Sequence, residues 1–245
     1  MAEKDAVLIE KISRLITLFK AGKIKVLEKH EMYPDLEKGG RENYLYFTLA
    51  PCLNFQRSSP ALWQSASDTF ADIDTKWVFF PELVAQRSFE ELQSALVKHK
   101  LALQKNKHPT IWKNISNTLN VYYKNDPREL LIANRWEVPR ILHVIQIEQK
   151  KNFPYLSGLK LSNYWLFVLS HFTDAKFVNL QELSIIPDTH IVQSSVKLGI
   201  VDVDATPADV DQTWRRINKL GKFSPVELHS ILWNWSRSGF QPTIE

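Results

Sequence analysis

Two side chains in this 245-residue sequence form a pair with an obvious chemical use, Lys160 and Asp188. A neutral amine is a nucleophile that can add to an electrophilic sugar carbon and form a Schiff base there. An ionised carboxylate nearby stabilises positive charge developing on a sugar, or relays protons. Together they suit cleavage of an N-glycosidic bond: the amine attacks C1′, and β-elimination of the strand follows. The spacing of local signals supports each half of the pair. Lys160 falls in the first turn of a helix that starts near Gly158, where the helix dipole opposes a cation. Its apolar neighbours Leu159, Leu161 and Trp165 are expected to shelter it and favour the neutral amine. Asp188 follows Pro187 and precedes an apolar-periodic run, the signature of a helix N-cap, where a carboxylate stays ionised.

The elements that must position this pair are helical. A helix ends near Lys151, a short hairpin containing Pro154 and Gly158 follows, and the helix bearing Lys160 starts next. Helix, tight hairpin and helix aim backbone N–H groups, here at Ser157 and Gly158, toward a phosphate. Elsewhere the 3.6-residue period recurs. Residues 6–20 place Val7, Leu8, Ile12, Leu15, Ile16 and Phe19 on one face. Further helices are predicted at 42–53, after Ser58-Ser59 at Pro60, at 110–123 (ended by Asn125-Asp126-Pro127), and at 136–149, 158–172, 188–198, 208–220 and 225–236. Ser88 with Glu91 reads as a capping box. The chain has seven glycines and no Asn-Gly or Asp-Gly hairpin signal, so the fold class is all-α.

Composition narrows the function. Hydrophobic residues make up 44 % and charged residues 24 %, ordinary for a globular chain with a real core. Eight Trp and thirteen Phe suggest a surplus that grips flat ligands or bases. A net charge of +4 permits a basic face, with Lys150, Lys151, Arg215, Arg216, Lys219 and Lys222 as candidate phosphate contacts. The single cysteine, Cys52, excludes a disulfide framework and any multi-cysteine cluster or zinc site, and reads as a small buried hydrophobe. His171, His190 and His229 have no metal-ligand spacing, so neither a metal nor a cofactor is expected. The first turns carry charge throughout, without a signal-peptide core, and no run approaches the roughly 18 apolar residues of a membrane span. A cytoplasmic (nucleoid) or nuclear, non-secreted monomer is the expectation.

At two motifs the sequence resembles a known family. Leu156-Ser157-Gly158-Leu159-Lys160 is similar to the hairpin of the helix–hairpin–helix DNA glycosylase superfamily, whose catalytic lysine stands two residues after the hairpin glycine. Pro187-Asp188-Thr189-His190 is similar to the family's segment carrying the catalytic Asp. The Lys-to-Asp spacing, and the tail Pro225-Val226-Glu227-Leu228-His229-Ser230-Ile231-Leu232-Trp233, most resemble the archaeal 8-oxoguanine glycosylase branch (AGOG type). The cluster-binding cysteines of the endonuclease III branch are absent. The resemblance implies base excision repair on double-stranded DNA containing a damaged base, 8-oxoguanine first among candidates, with lyase activity through Lys160. Asp188 would be its carboxylate partner, Trp233 would stack on the flipped base, and Tyr164 would cover its other face. Asn54, Phe55, Gln56 and Arg57 would fill the hole left in the duplex. Two departures stand out: Leu156 replaces the family's first hairpin glycine, and His229 occupies the position of a base-reading Asp. The implied architecture is two helical subdomains with a cleft between them, 41–185 ending in the hairpin motif, and 1–40 with 186–245.

Two other readings compete. A free-nucleotide N-glycosidase on a similar scaffold would need neither a phosphate-binding hairpin nor a nucleophilic lysine. A non-catalytic helical DNA-binding protein would leave Lys160 and Asp188 unrelated. Each residue also has a plainer role: a lysine in a first turn is usually solvated, an N-cap Asp is usually only a cap, and one of Trp233 and Trp235 is expected to be core, since they cannot share a helix face.

Overall fold

The computed structural model describes residues 2–26, 33–54 and 57–244. It is all-α: among these residues there is no strand, only an isolated bridge between Glu137 and Val178. The chain divides into two compact units. One is Lys29–Val178; the other combines Met1–Glu28 with Asn179–Glu245.

The central unit holds α2 (Arg41–Leu49), α3 (Ser59–Ala71), α4 (Pro81–Gln86), α5 (Phe89–Lys98), α6 (Lys107–Tyr122), α7 (Pro127–Ala133), α8 (Val138–His143) and α9 (Leu159–Phe172). Its core is an aromatic stack. Tyr46 lies parallel to Trp63 and Phe79, and meets Phe47 and Phe70 edge-on. Trp112 closes the stack against Phe79, its indole N–H donating to the Val78 carbonyl at 2.8 Å. Each ring pair adds about 0.5–1.5 kcal/mol beyond the area it buries.

The terminal unit holds α1 (Ala2–Lys20), α10 (Thr189–Leu198), α11 (Pro207–Gly221) and α12 (Pro225–Arg237). The apolar stripe of α1, with Leu8, Ile12 and Leu15, packs into one core with Ile191, Trp214, Ile231 and Trp235. Most of the tryptophan surplus is therefore spent on packing: Trp63, Trp112, Trp165, Trp214 and Trp235 are fully buried.

Helix starts follow a repeated recipe. Ser88, Asp126, Asp188, Thr206 and Ser224 each cap a helix through a side-chain oxygen, and proline occupies the first positions after Asp126, Thr206 and Ser224. The cap satisfies an amide that the helix leaves orphaned, and proline has no N–H to waste there. Ser88 and Glu91 form the expected capping box. Two short helices, α4 and α7, escaped the periodicity. Asp126-Pro127 does not merely end α6; it caps and opens α7. The predicted helix over 136–149 is not continuous either. It is α8 followed by one wide turn, Val144–Glu148, with i to i+5 bonding, and it stops before the hairpin. With so few glycines, left-handed turns fall on side-chain-bearing residues: Arg135, Trp136, Tyr155 and Lys222 all have positive φ. Such residues cost about 1 kcal/mol or more, which the surrounding packing must hold.

One buried titratable group makes a stability prediction. His108 is fully buried, and its Nδ1 accepts from the Leu103 amide at 3.2 Å. Burial, reinforced by the charges of Arg57 and Lys107, pushes its pKa down to about 4. The folded value lies below the ordinary 6.5, so the fold prefers the neutral ring. Its contribution is complete above 6.5 and is lost as pH falls from 6.5 toward 4. The Tm of His108→Asn, which keeps an acceptor but cannot titrate, should depend less steeply on pH between 7 and 5 than the wild type. Parallel curves would contradict this assignment.

Candidate active site

In the central unit the hairpin is held from beneath. Phe153 and Leu156 are buried, Thr118 on α6 donates to the Asn152 carbonyl at 3.0 Å, and Gln146 in the wide turn donates to Ser162 on α9 at 2.7 Å. The turn itself is made by Tyr155 at φ 64°, not by a glycine. Leu156, expected from the resemblance to replace a hairpin glycine, is an anchor in the core. The expected phosphate donors need correction. The Ser157 amide donates to the Phe153 carbonyl at 2.8 Å and the Gly158 amide to Tyr155 at 2.9 Å, so both are consumed inside the hairpin. Gly158 is instead the N-cap of α9. The donors that a helix start leaves over are the next three amides, those of Leu159, Lys160 and Leu161.

Helix α9 buries Trp165, Leu166, Val168 and Leu169, and Trp165 donates its indole N–H to Thr48 on α2 at 3.0 Å. This fixes the opposite stripe. Lys160 and His171 are exposed, and Tyr164 and Phe167 are half-buried, at successive turns of one face. The Tyr164 hydroxyl lies 3.3 Å from that of Ser59, and the Phe167 and His171 rings are 4.3 Å apart. The spacing 160, 164, 167, 171 is legible in the sequence as one helical face, and Phe167 is the member of it that no motif marks. The apolar shelter expected around Lys160 is missing. Leu159 is itself 45 % exposed and Trp165 points into the core.

The segment 54–57 is described in part. Asn54 is half-buried and ends the 3-10 turn Ala50–Leu53, while Phe55 and Gln56 lie outside the described residues. Arg57 has a packing role within its unit. Its guanidinium donates to the carbonyls of Lys100 at 2.9 Å and Leu101 at 2.7 Å, and burial pulls it down to about 10, still charged at neutral pH. An arginine spent on these carbonyls braces the loop. Cys52 sits beneath it, buried and bonded to the Thr48 carbonyl, and burial pushes the thiol up, out of reactive range.

In the terminal unit Asp188 is the N-cap of α10. Its Oδ1 accepts from the Ile191 amide at 2.9 Å, and among the described residues its second oxygen accepts no hydrogen bond. Two residues on, the His190 ring meets Trp233 of α12 edge-on, with centroids 5.5 Å apart. Of the two neighbouring tryptophans, Trp235 is core, donating to the Pro242 carbonyl, and Trp233 is half-buried. Arg237, one turn later, lies 4.8 Å over the Trp233 ring. His229, one turn before Trp233, is also half-buried. Two of the candidate phosphate contacts are engaged within the unit: Arg215 pairs with Asp211 and donates to the Glu182 carbonyl, and Arg216 pairs with Asp5. Lys150, Lys151, Lys219 and Lys222 are exposed.

The cap geometry of Asp188 separates stability from chemistry. Asp188→Asn retains an N-cap oxygen and should leave urea stability within about 0.5 kcal/mol, whereas Asp188→Ala should cost about 1 kcal/mol. Equal losses for both variants would show that the carboxylate charge, not the cap, holds α10.

No protein-family model matches the chain, and no curated protein matches it. Among the described residues no helix is long and apolar enough to cross a membrane. Among solved structures, the chain is similar to a trapped covalent intermediate of endonuclease III with DNA, in its estranged-adenine complex. The TM-score is 0.56 and the identity 14 %, over 91 % of this chain and 81 % of that one. At that identity the likeness is one of architecture: the chain has the helical fold of the endonuclease III in that complex.

Proposed function

We propose that this protein is a DNA N-glycosylase that excises a damaged purine from double-stranded DNA and cleaves the resulting abasic site through a Schiff base on Lys160. The observation that carries the proposal is the fold, shared over most of the chain with an enzyme trapped covalently on DNA. The residues add support. Lys160 is an exposed amine in the first turn after the hairpin, beside backbone donors suited to a phosphate. Asp188 spends one oxygen on its cap and keeps the other for chemistry. Tyr164 follows Lys160 by one turn, and Trp233 offers a partly exposed indole.

The proposed sequence of events starts with phosphates held by the first-turn amides of α9 and by surface lysines. The lesion base leaves the stack and lies against Trp233 and Tyr164. Asn54 and its neighbours occupy the vacated space. Asp188 stabilises the cationic sugar as the C1′–N bond breaks, and the base leaves with the bonding electrons. The neutral Lys160 amine then bonds to C1′ and gives up a proton. The C1′–O4′ bond breaks as O4′ takes a proton, and the imine so formed loses a C2′ proton as the 3′ phosphate leaves by β-elimination. The mechanism requires Asp188 and Lys160 to act on one sugar. The lesion to assay first is 8-oxoguanine, with His229 as the candidate base reader at the position where the resembled branch has an Asp.

On duplexes carrying single lesions, Asp188→Asn should release base at least about 100-fold more slowly than the wild type. Lys160→Gln should lose strand cleavage. If the wild type released no base from any lesion duplex but hydrolysed a free modified nucleotide, the proposal would be wrong.

A further inference from the structure

Next to Asp188 a short chain of hydrogen bonds selects the tautomer of a neutral His190 ring. Ser236 on α12 donates its one hydroxyl proton to the Gln193 side-chain oxygen at 3.0 Å. The same hydroxyl oxygen lies 3.1 Å from His190 Nδ1. With the Ser236 proton already spent, the hydroxyl can only accept from the ring, so Nδ1 carries the hydrogen. A neutral imidazole has one N–H, so Nε2 is left as a lone-pair acceptor. The less common tautomer is thus selected by Ser236 together with Gln193. Ser236 is buried and Gln193 is on the exposed side of α10, so the chain runs from solvent to the ring. The ring packs edge-on to Trp233.

We infer that His190 is a specificity residue, held by Ser236 and Gln193 as an acceptor for an N–H donor on the edge of the base that stacks on Trp233. This rests on the proposed function and refines it. An acceptor nitrogen selects an amide or amine edge, and it repels a phosphate, whose oxygens at neutral pH are themselves acceptors. Ser236 and Gln193 are positioning residues, because they act only through the ring.

Nitrogen-15 NMR of the full-length protein reads the tautomer directly, since the protonated and lone-pair nitrogens of imidazole resonate far apart. The wild type should show a protonated Nδ1 and a lone-pair Nε2 for His190. Gln193→Glu, which still accepts from Ser236, should keep that pattern, and Ser236→Ala should lose it. In binding, Ser236→Ala should weaken affinity for a lesion duplex about tenfold while leaving an abasic duplex, which has no base to read, unchanged. A wild-type ring protonated at Nε2 would overturn the inference whatever the DNA assays show. Equal losses on lesion and abasic duplexes would overturn the base-reading step. Normal tautomer signals with no binding to any lesion duplex would instead contradict the proposed function, and the base-reading step with it.

Discussion

The unpaired amides at helix starts govern where charge can sit in this chain. Each helix leaves its first N–H groups without partners inside the helix, to be met by a side chain, water or a ligand. At α10 the partner is Asp188, which is thereby fixed in place. At α9 the N-cap is Gly158, which offers no side chain, so the first-turn amides beside Lys160 stay open to an external anion. One start is closed by its own carboxylate and the other has no side-chain cap. Both follow from residue type at a single position.

Packing turns these local choices into a usable surface. The aromatic core of the central unit and the indole of Trp165 set the rotation of α9 about its axis, so that 160, 164, 167 and 171 remain on the outer face. In the terminal unit the burial of Trp235 decides that Trp233, two residues away, must turn outward, where Arg237 and His190 meet it. The core thus selects which aromatic rings remain to bind anything.

Much of this was legible in the sequence. The caps at Ser88 and Asp188, the helical stripe of α1, the helix opening at Gly158 and the split roles of Trp233 and Trp235 are local patterns, and local patterns survive folding. What escaped depends on long-range partners. Nothing near Arg57 announces that its guanidinium will brace the carbonyls of Lys100 and Leu101. Nothing near Ser157 and Gly158 reveals that their amides close the hairpin on itself, with Tyr155 taking the left-handed turn that a glycine would be expected to make. The aromatic surplus suggested base binding, but the core absorbed most of it, because composition counts rings without saying which way they point. The short helices α4 and α7 fell below the length at which periodicity speaks, although proline at their first positions marks them.

The account stands or falls on which atom of the protein becomes attached to the sugar. Borohydride reduction during reaction with an 8-oxoguanine or abasic duplex, followed by proteolysis and mass spectrometry of the cross-linked peptide, identifies that atom. The account predicts one adduct, on the Lys160 side chain, in the peptide that also carries the hairpin. An adduct on any other lysine would contradict it, as would strand cleavage at an abasic site with nothing trapped.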